Sequence, residues 1–249
     1  MSSCHVRPPG FRGIFRDDPA ALAVYSEAAG IGRIVPSAIV VPVDADDVVT
    51  IVKWASASSI PLIARGSGTS MGGGAIGSGV IVDMSQINRI GDIDPLNHSV
   101  WVGPGALRGA VNRRANESGC RFPVDPSSGE FCTIGGMVST NAAGAHTLRF
   151  GATRDWVISL DCVFDDGSRA IVSRLRPLPD GVPALERFSA TVGPAIRNLD
   201  GASSITHEGV AKDSSGYGIG AYAHSGKLVD LLVGSEGTLV LIVGIELGL

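Results

Sequence analysis

The 249-residue chain carries 20 Lys and Arg against 24 Asp and Glu, a formal net charge of −4, with no basic stripe and no interleaved aromatic set, so nucleic-acid binding is not expected. Its 44% hydrophobic content is that of a folded globule, and its 34 glycines are nearly twice the usual share of about 7%. The longest apolar run, Leu239 to Ile245, is far short of a membrane span, and the first ten residues lack the apolar stretch of a secretory signal, so a cytoplasmic protein is expected.

In chain order, residues 1–34 read as a leading segment with a short helix around Pro19 to Ala29. A regular pattern starts with the strand Ile39-Val40-Val41. Asp44 is a good N-cap for a helix whose Val48, Ile51, Val52 and Ala55 fall at i, i+3, i+4 and i+7. Strand Leu62 to Ala64, a glycine loop and strand Val80 to Val82 complete a first lobe, about 35–86. A second lobe, about 87–249, opens with a strand from Ser99 to Gly103. A helix follows with Leu107, Ala110, Val111 and Arg114 on one face and Gly119 as its stop. Val157 to Phe164, Asp165-Asp166-Gly167 and Ala170 to Ser173 read as a hairpin. Residues 175–207, broken by Pro177, Pro179, Pro183 and Pro194, read as an insertion or exposed linker. Leu228 to Leu232 is a short helix and Thr238 to Leu247 a final strand, which makes the class α+β.

The chemistry begins at Arg65-Gly66-Ser67-Gly68-Thr69-Ser70, launched from the strand before it. Residues without Cβ let main-chain N–H groups converge on an anion, and a neighbouring Arg suits a phosphate or pyrophosphate. Gly66, Gly68, Gly72 and Asp83 tempt a Rossmann reading. That fold needs a helix directly after the turn. Thr69 to Gly79 holds five glycines in eleven residues, each costing about 1 kcal/mol in a helix, so the fold is not Rossmann. A glycine-rich surface loop without a ligand is the plainer alternative. Cys4, Cys120, Cys132 and Cys162 form no C-x-x-C pair, and the five histidines show no ligand spacing; reduced thiols and no metal are expected.

Further small-residue clusters follow in order. They are Val41-Pro42, Asp83-Met84-Ser85, Pro123 to Ser128, Cys132 to Gly136, Asn141 to Gly144, Phe150 to Asp155, Lys212 to Tyr217 and Val233 to Thr238. With the first loop they resemble the FAD-linked oxidases of the vanillyl-alcohol oxidase and p-cresol methylhydroxylase (PCMH) type, over roughly residues 20–249. Within that family the chain is most similar to the D-lactate dehydrogenase, glycolate oxidase and D-2-hydroxyglutarate dehydrogenase branch.

The resemblance implies a two-subdomain PCMH-type FAD-binding fold with FAD extended between the lobes. Arg65, Gly66, Ser67, Gly68, Thr69 and Ser70 would hold the pyrophosphate. Ser127, Thr133, Gly136, Asn141, Gly144 and Thr153 would line the flavin and ribityl path. Gly234, Glu236, Gly237 and Thr238 would close over the adenine side or the ring edge, and Pro42, Pro126, Gly135, Gly151 and Asp155 belong to the same cofactor-binding set. Covalent relatives place His or Cys where the loop meets the ring; Thr69 and Ser70 stand here, which implies noncovalent FAD, with Cys132 as packing. His146 and Arg149 are the nearest catalytic candidates, though His146 reads as structural first. The implied activity is oxidation of an (R)-2-hydroxy acid to a 2-oxo acid, with electrons leaving to a quinone, a cytochrome or another carrier. The family's substrate cap would follow Leu249 and is expected to be absent here. The alternatives are a noncatalytic flavin-binding module or a subunit completed by a cap-bearing or electron-transfer partner chain, which could attach it peripherally to the inner membrane.

Overall fold

The computed structural model describes residues 7–199 and 216–249. The first sheet has the order β1 (Ile14–Arg16), β2 (Ala38–Val41), β4 (Val80–Asp83), β3 (Leu62–Arg65), with β2, β4 and β3 parallel and β1 antiparallel at the edge. All four residues of β2 and all four of β4 are buried, as expected of strands covered on both faces. Period-two alternation assigns the faces. Ile39, Val41 and Ile81 meet Ala21, Leu22 and Tyr25 of α1 (Pro19–Tyr25), whereas Ala38, Val40, Val80 and Val82 meet Val48, Ile51 and Val52 of α2 (Ala45–Ala57). Asp44 caps α2 by accepting from the N–H groups of Asp46 and Asp47.

The second sheet is antiparallel throughout, in the order β5 (Ile90–Asp94), β6 (Ser99–Val102), β9 (Leu241–Gly248), β7 (Val157–Val163), β8 (Arg169–Ser173). β7 and β8 form the expected hairpin, with Gly167 at φ 76 in its turn. Val163, Leu241 and Val243 of this sheet enter the same cluster as Val48 and Ile51, so α2 lies between the sheets and joins the lobes through one core. A larger core packs the opposite face of the second sheet against α3 (Arg108–Asn116), α4 (Ile134–Ser139) and α9 (Leu228–Leu232). No described helix is long and apolar enough to cross a membrane.

Several boundaries differ from the sequence reading. The leading segment is not separate from the first lobe: β1 and α1 belong to it. α1 stops at Tyr25, where the Ser26 N–H turns back to the Ala23 carbonyl, and does not reach Ala29. In α3 the buried face is Arg108, Gly109, Val111 and Ala115; Leu107 is the exposed N-cap and Arg114 faces solvent. Arg108 is buried because its Nε donates to the Val124 carbonyl at 2.6 Å, which a hydrophobic pattern does not register. β9 begins at Leu241 because Thr238 closes a turn onto Ser235. The described part of 175–207 is not a linker. It holds α6 (Pro183–Ala190) and α7 (Val192–Arg197), with Ala184 and Leu185 in the main core. Pro183 and Pro194 sit in first turns, where no N–H partner is lost, so the prolines permit the helices they were read as breaking. Residues 200–207 and Lys212–Ser215 lie outside the described residues.

A side chain in a linker contributes little to stability, whereas a core leucine cut to Ala costs about 2–5 kcal/mol. Leu185 is 2% exposed, so Leu185→Ala is expected to lower the urea unfolding midpoint by a corresponding amount; an unchanged midpoint would restore the linker reading.

Candidate cofactor site

β3 and β4 run parallel and in register, Arg65 opposite Asp83, and the glycine loop leaves from the end of β3. No helix forms anywhere between Gly66 and Gly79. Among the described residues, the main-chain N–H groups of Gly66 to Ser70 donate to no protein acceptor, so five consecutive donors are left for solvent or a ligand. Gly68 has φ 70, a left-handed conformation in which a β-branched residue is strained.

Across from the loop stands the start of α4. Thr133 caps it, its Oγ1 accepting from the Gly136 N–H at 3.2 Å. The loop passes so close that a Cβ on Gly66 would lie 2.1 Å from that same oxygen. Gly135 is fixed by the same logic, since its Cβ would stand 2.6 Å from that of Pro104. A third wall comes from the segment before β9. The Gly234 N–H donates to the Val138 carbonyl and the Glu236 N–H to that of Ser139, both just before Asn141. Glu236 has φ 53 and Gly237 φ 76, and a Cβ on Gly237 would approach that of Ala64 to 3.3 Å.

These walls enclose a cleft with about 1100 Å³ of empty space counted out to its open mouth. It runs from the glycine loop, through the start of α4, to Val240, Leu241 and Ile242 of the second lobe.

The structure gathers Arg65, Gly66, Ser67, Gly68, Thr69 and Ser70 on this cleft, with Pro126, Thr133, Gly135, Gly136, Glu236 and Gly237. The remaining predicted residues do not line it. Pro42 is buried at the end of β2. Ser127 lies between two lining neighbours, Pro126 and Ser128. Asn141, at φ 45, accepts from the Arg154 N–H, and Thr153 is fully buried with its hydroxyl donating to the Ala142 carbonyl. Gly144 packs on Asp125, where a Cβ would meet the Asp125 carbonyl oxygen at 2.1 Å. At Gly151 the φ is 70, and Asp155 accepts from the Ala152 N–H beside it. Gly234 has φ 88, and a Cβ there would lie 3.3 Å from Arg154 Nη2 and from the Asn141 Cβ. The Thr238 hydroxyl donates to the Ser235 carbonyl. This second group shapes the turns from which the lining residues project.

Sequence reasoning missed Met84, Met137, Val240 and Ile242 in the lining, because apolar residues on periodic elements read as core. Ser139 and Thr140 carried no signal at all.

Arg65, Cys132 and Glu236 are the ionisable side chains of the cleft lining among the described residues. Cys132 is 4% exposed, its thiol donates to the Gly129 carbonyl, and burial raises its pKa. His146 is off the cleft lining and exposed, its Nδ1 paired with Asp125. Burial raises the Asp125 carboxyl, but the bonds from His146 more than offset it, leaving the group below its ordinary value. Arg149 lies over the Phe150 ring at 5.0 Å. Neither catalytic candidate reaches the cleft lining.

Residues 36–173 match the FAD binding domain family. The chain belongs to that family, and FAD is its cofactor. The residues present fit it: a run of unpaired N–H donors, and glycines whose missing Cβ atoms keep the cleft open. The glycolate oxidase subunit GlcD of Bacillus subtilis is 34% identical over 156 residues, covering 61% of this chain and 33% of that protein. A D-lactate dehydrogenase of Anaerostipes hadrus is 29% identical over 90% of this chain and 38% of its own length. A D-2-hydroxyglutarate dehydrogenase of Pseudomonas putida is 33% identical over 76% of this chain and 19% of its own length. The chain therefore spans between 19% and 38% of the length of these relatives. A solved structure of alkyldihydroxyacetonephosphate synthase superposes with a TM-score of 0.65 at 18% identity, over 94% of this chain and 40% of that one, which shows the fold.

Two measurements check this geometry. Gly68→Val is expected to abolish FAD binding in a fluorescence titration, because it forces a β-branched residue into a left-handed conformation; undiminished affinity would mean that the loop is ordinary surface. In the folded protein an alkylating reagent should modify Cys120 well before Cys132 and Cys162, whose thiols are buried with raised pKa. Equal rates for the three would contradict the burial.

Proposed function

We propose that this chain is the flavin-binding part of an oxidoreductase that converts an (R)-2-hydroxy acid to a 2-oxo acid, with FAD held noncovalently in the cleft between the two sheets. The observation that carries the reading is the cleft itself: unpaired N–H donors at one end, small residues along it and an apolar wall at the other end. The relatives named for glycolate, D-lactate and D-2-hydroxyglutarate supply the substrate class, since each acid bears a hydroxyl on the carbon next to a carboxylate.

FAD when bound supplies a two-electron acceptor. The loop N–H groups of Gly66 to Ser70 suit the pyrophosphate, and the caps and turns around Thr133 and Glu236 hold the walls at the spacing the cofactor needs. Noncovalent attachment is favoured because the one thiol in the lining among the described residues, Cys132, is buried, has its pKa raised by burial and donates to the Gly129 carbonyl.

Oxidation of the alcohol also requires a group that takes the hydroxyl proton and a cation that holds the carboxylate. Glu236 is exposed and Arg65 is partly occupied by the Ala75 and Tyr25 carbonyls, so neither is assigned those tasks, and His146 is paired off the cleft. Those groups are assigned to residues beyond the cleft, on another segment or a partner chain. An electron carrier such as a quinone or cytochrome would take the electrons onward, and any inner-membrane association would come through a partner. The same observation supports a second reading, a flavin-binding module that is noncatalytic without such a partner.

Acid precipitation of purified yellow protein is expected to release the colour into the supernatant; colour retained in the pellet would disprove noncovalent binding. The 249-residue chain loaded with FAD is expected to oxidise D-lactate, glycolate or D-2-hydroxyglutarate only weakly with an artificial acceptor. General acid–base groups contribute about 10²–10⁴-fold, and positioning more. Robust turnover by these residues alone would place the proton acceptor within them.

A further inference from the structure

The glycine loop rests on a segment that precedes the matched region. The Ala29 N–H donates to the Gly68 carbonyl at 2.9 Å. Gly30 packs so closely that its Cβ would stand 2.5 Å from the Met71 carbonyl oxygen, and a Cβ on Gly32 would stand 3.2 Å from Ile76. Three successive points of the loop are therefore backed by residues 29–32. Arg65 latches the two together. Its Nη1 donates to the Ala75 carbonyl at 3.2 Å and, more weakly, to the Tyr25 carbonyl at 3.4 Å, and its guanidinium lies over the Tyr25 ring at 5.1 Å. The Tyr25 hydroxyl is in turn anchored on Asp83, the residue opposite Arg65 in the parallel pair. A Cβ on Gly68 would lie 2.8 Å from Arg65 Nη2 and 3.1 Å from its Cζ, so the guanidinium fills the space under the loop.

We propose that Arg65 and Tyr25 are positioning residues: they brace the glycine loop from the N-terminal segment so that its N–H groups converge, and Arg65 does not serve as the counter-charge of the bound anion. The inference rests on the reading that the cleft holds FAD. Arg65 borders the cleft, but its Nη1 donates to two carbonyls and its face lies over an aromatic ring, an arrangement that needs a planar guanidinium. A counter-ion needs only the charge.

The two roles separate under conservative substitution. FAD is titrated into apoprotein at low and high salt for wild type, Arg65→Ala, Arg65→Lys, Tyr25→Ala and Tyr25→Phe, with the thermal midpoint of each apoprotein measured alongside. A brace requires that Arg65→Ala, Arg65→Lys and Tyr25→Ala each raise the Kd roughly tenfold or more. Lysine should fail to rescue, and the salt dependence of the Kd should stay that of wild type. Tyr25→Phe keeps the ring under the guanidinium and should lose less than Tyr25→Ala. Wild-type affinity in Arg65→Lys, with Arg65→Ala losing both affinity and salt dependence, would establish a counter-ion and overturn the proposal. Undiminished FAD affinity in Tyr25→Ala would also overturn it. If Tyr25→Ala fails to fold, the Arg65→Lys and Arg65→Ala pair alone decides. No FAD binding by the wild type would instead refute the cleft reading, and that result appears before any variant is made.

Discussion

The constraint on which the cleft depends is the passage of the Gly66 backbone past Thr133. There is no room for a Cβ between them, and the hydroxyl that would be struck is the one capping α4. Loop and helix start belong to different lobes, so this contact limits how far apart the two sheets stand at this point of the cleft. A larger residue at Gly66 would have to displace the cap, leaving the Gly136 N–H unsatisfied.

The spacing is maintained by two kinds of packing. Behind the cleft, α2 is shared by both sheets, with Val48, Ile51 and Val52 meeting Val82 on one side and Val163 and Leu241 on the other. The lobes thus have a common apolar core, which resists sliding because close-packed interiors tolerate little rearrangement. At the rim, main-chain hydrogen bonds from Gly234 and Glu236 to the end of α4 tie the third wall in place. A site built this way presents main-chain donors and small residues, and it suits a long cofactor that must thread between walls.

Much of this was legible in the chain. The i, i+3, i+4, i+7 spacing behind Asp44 found α2, short apolar runs found β2, β3 and β4, and the Asp-Gly turn found the β7–β8 hairpin. The density of glycine after Arg65 excluded a Rossmann helix, and no helix forms there. The failures have physical causes. Pro183 and Pro194 were read as breakers because their compatibility with a first helical turn depends on where the helix begins. Leu107 was assigned to a buried face that Arg108 occupies, since a guanidinium can be buried when a carbonyl such as that of Val124 receives it.

The cleft divides along the same line. A missing Cβ is a local property written in the residue type, and it marked the loop Gly66 to Ser70, whereas Thr133, Gly135 and Gly136 were marked by the family resemblance of their clusters. Whether a marked residue faces the cleft or merely shapes a turn is decided by tertiary contacts: Thr153 is sealed against Ala142, and Gly144 is pressed on Asp125. The same holds for Arg65. Sequence gave it a charge beside an anion site, but only the fold brings Tyr25 beneath its guanidinium from forty residues earlier in the chain. Local chemistry is encoded along the chain, whereas the partner of each group is set by which distant segments the shared core brings into contact.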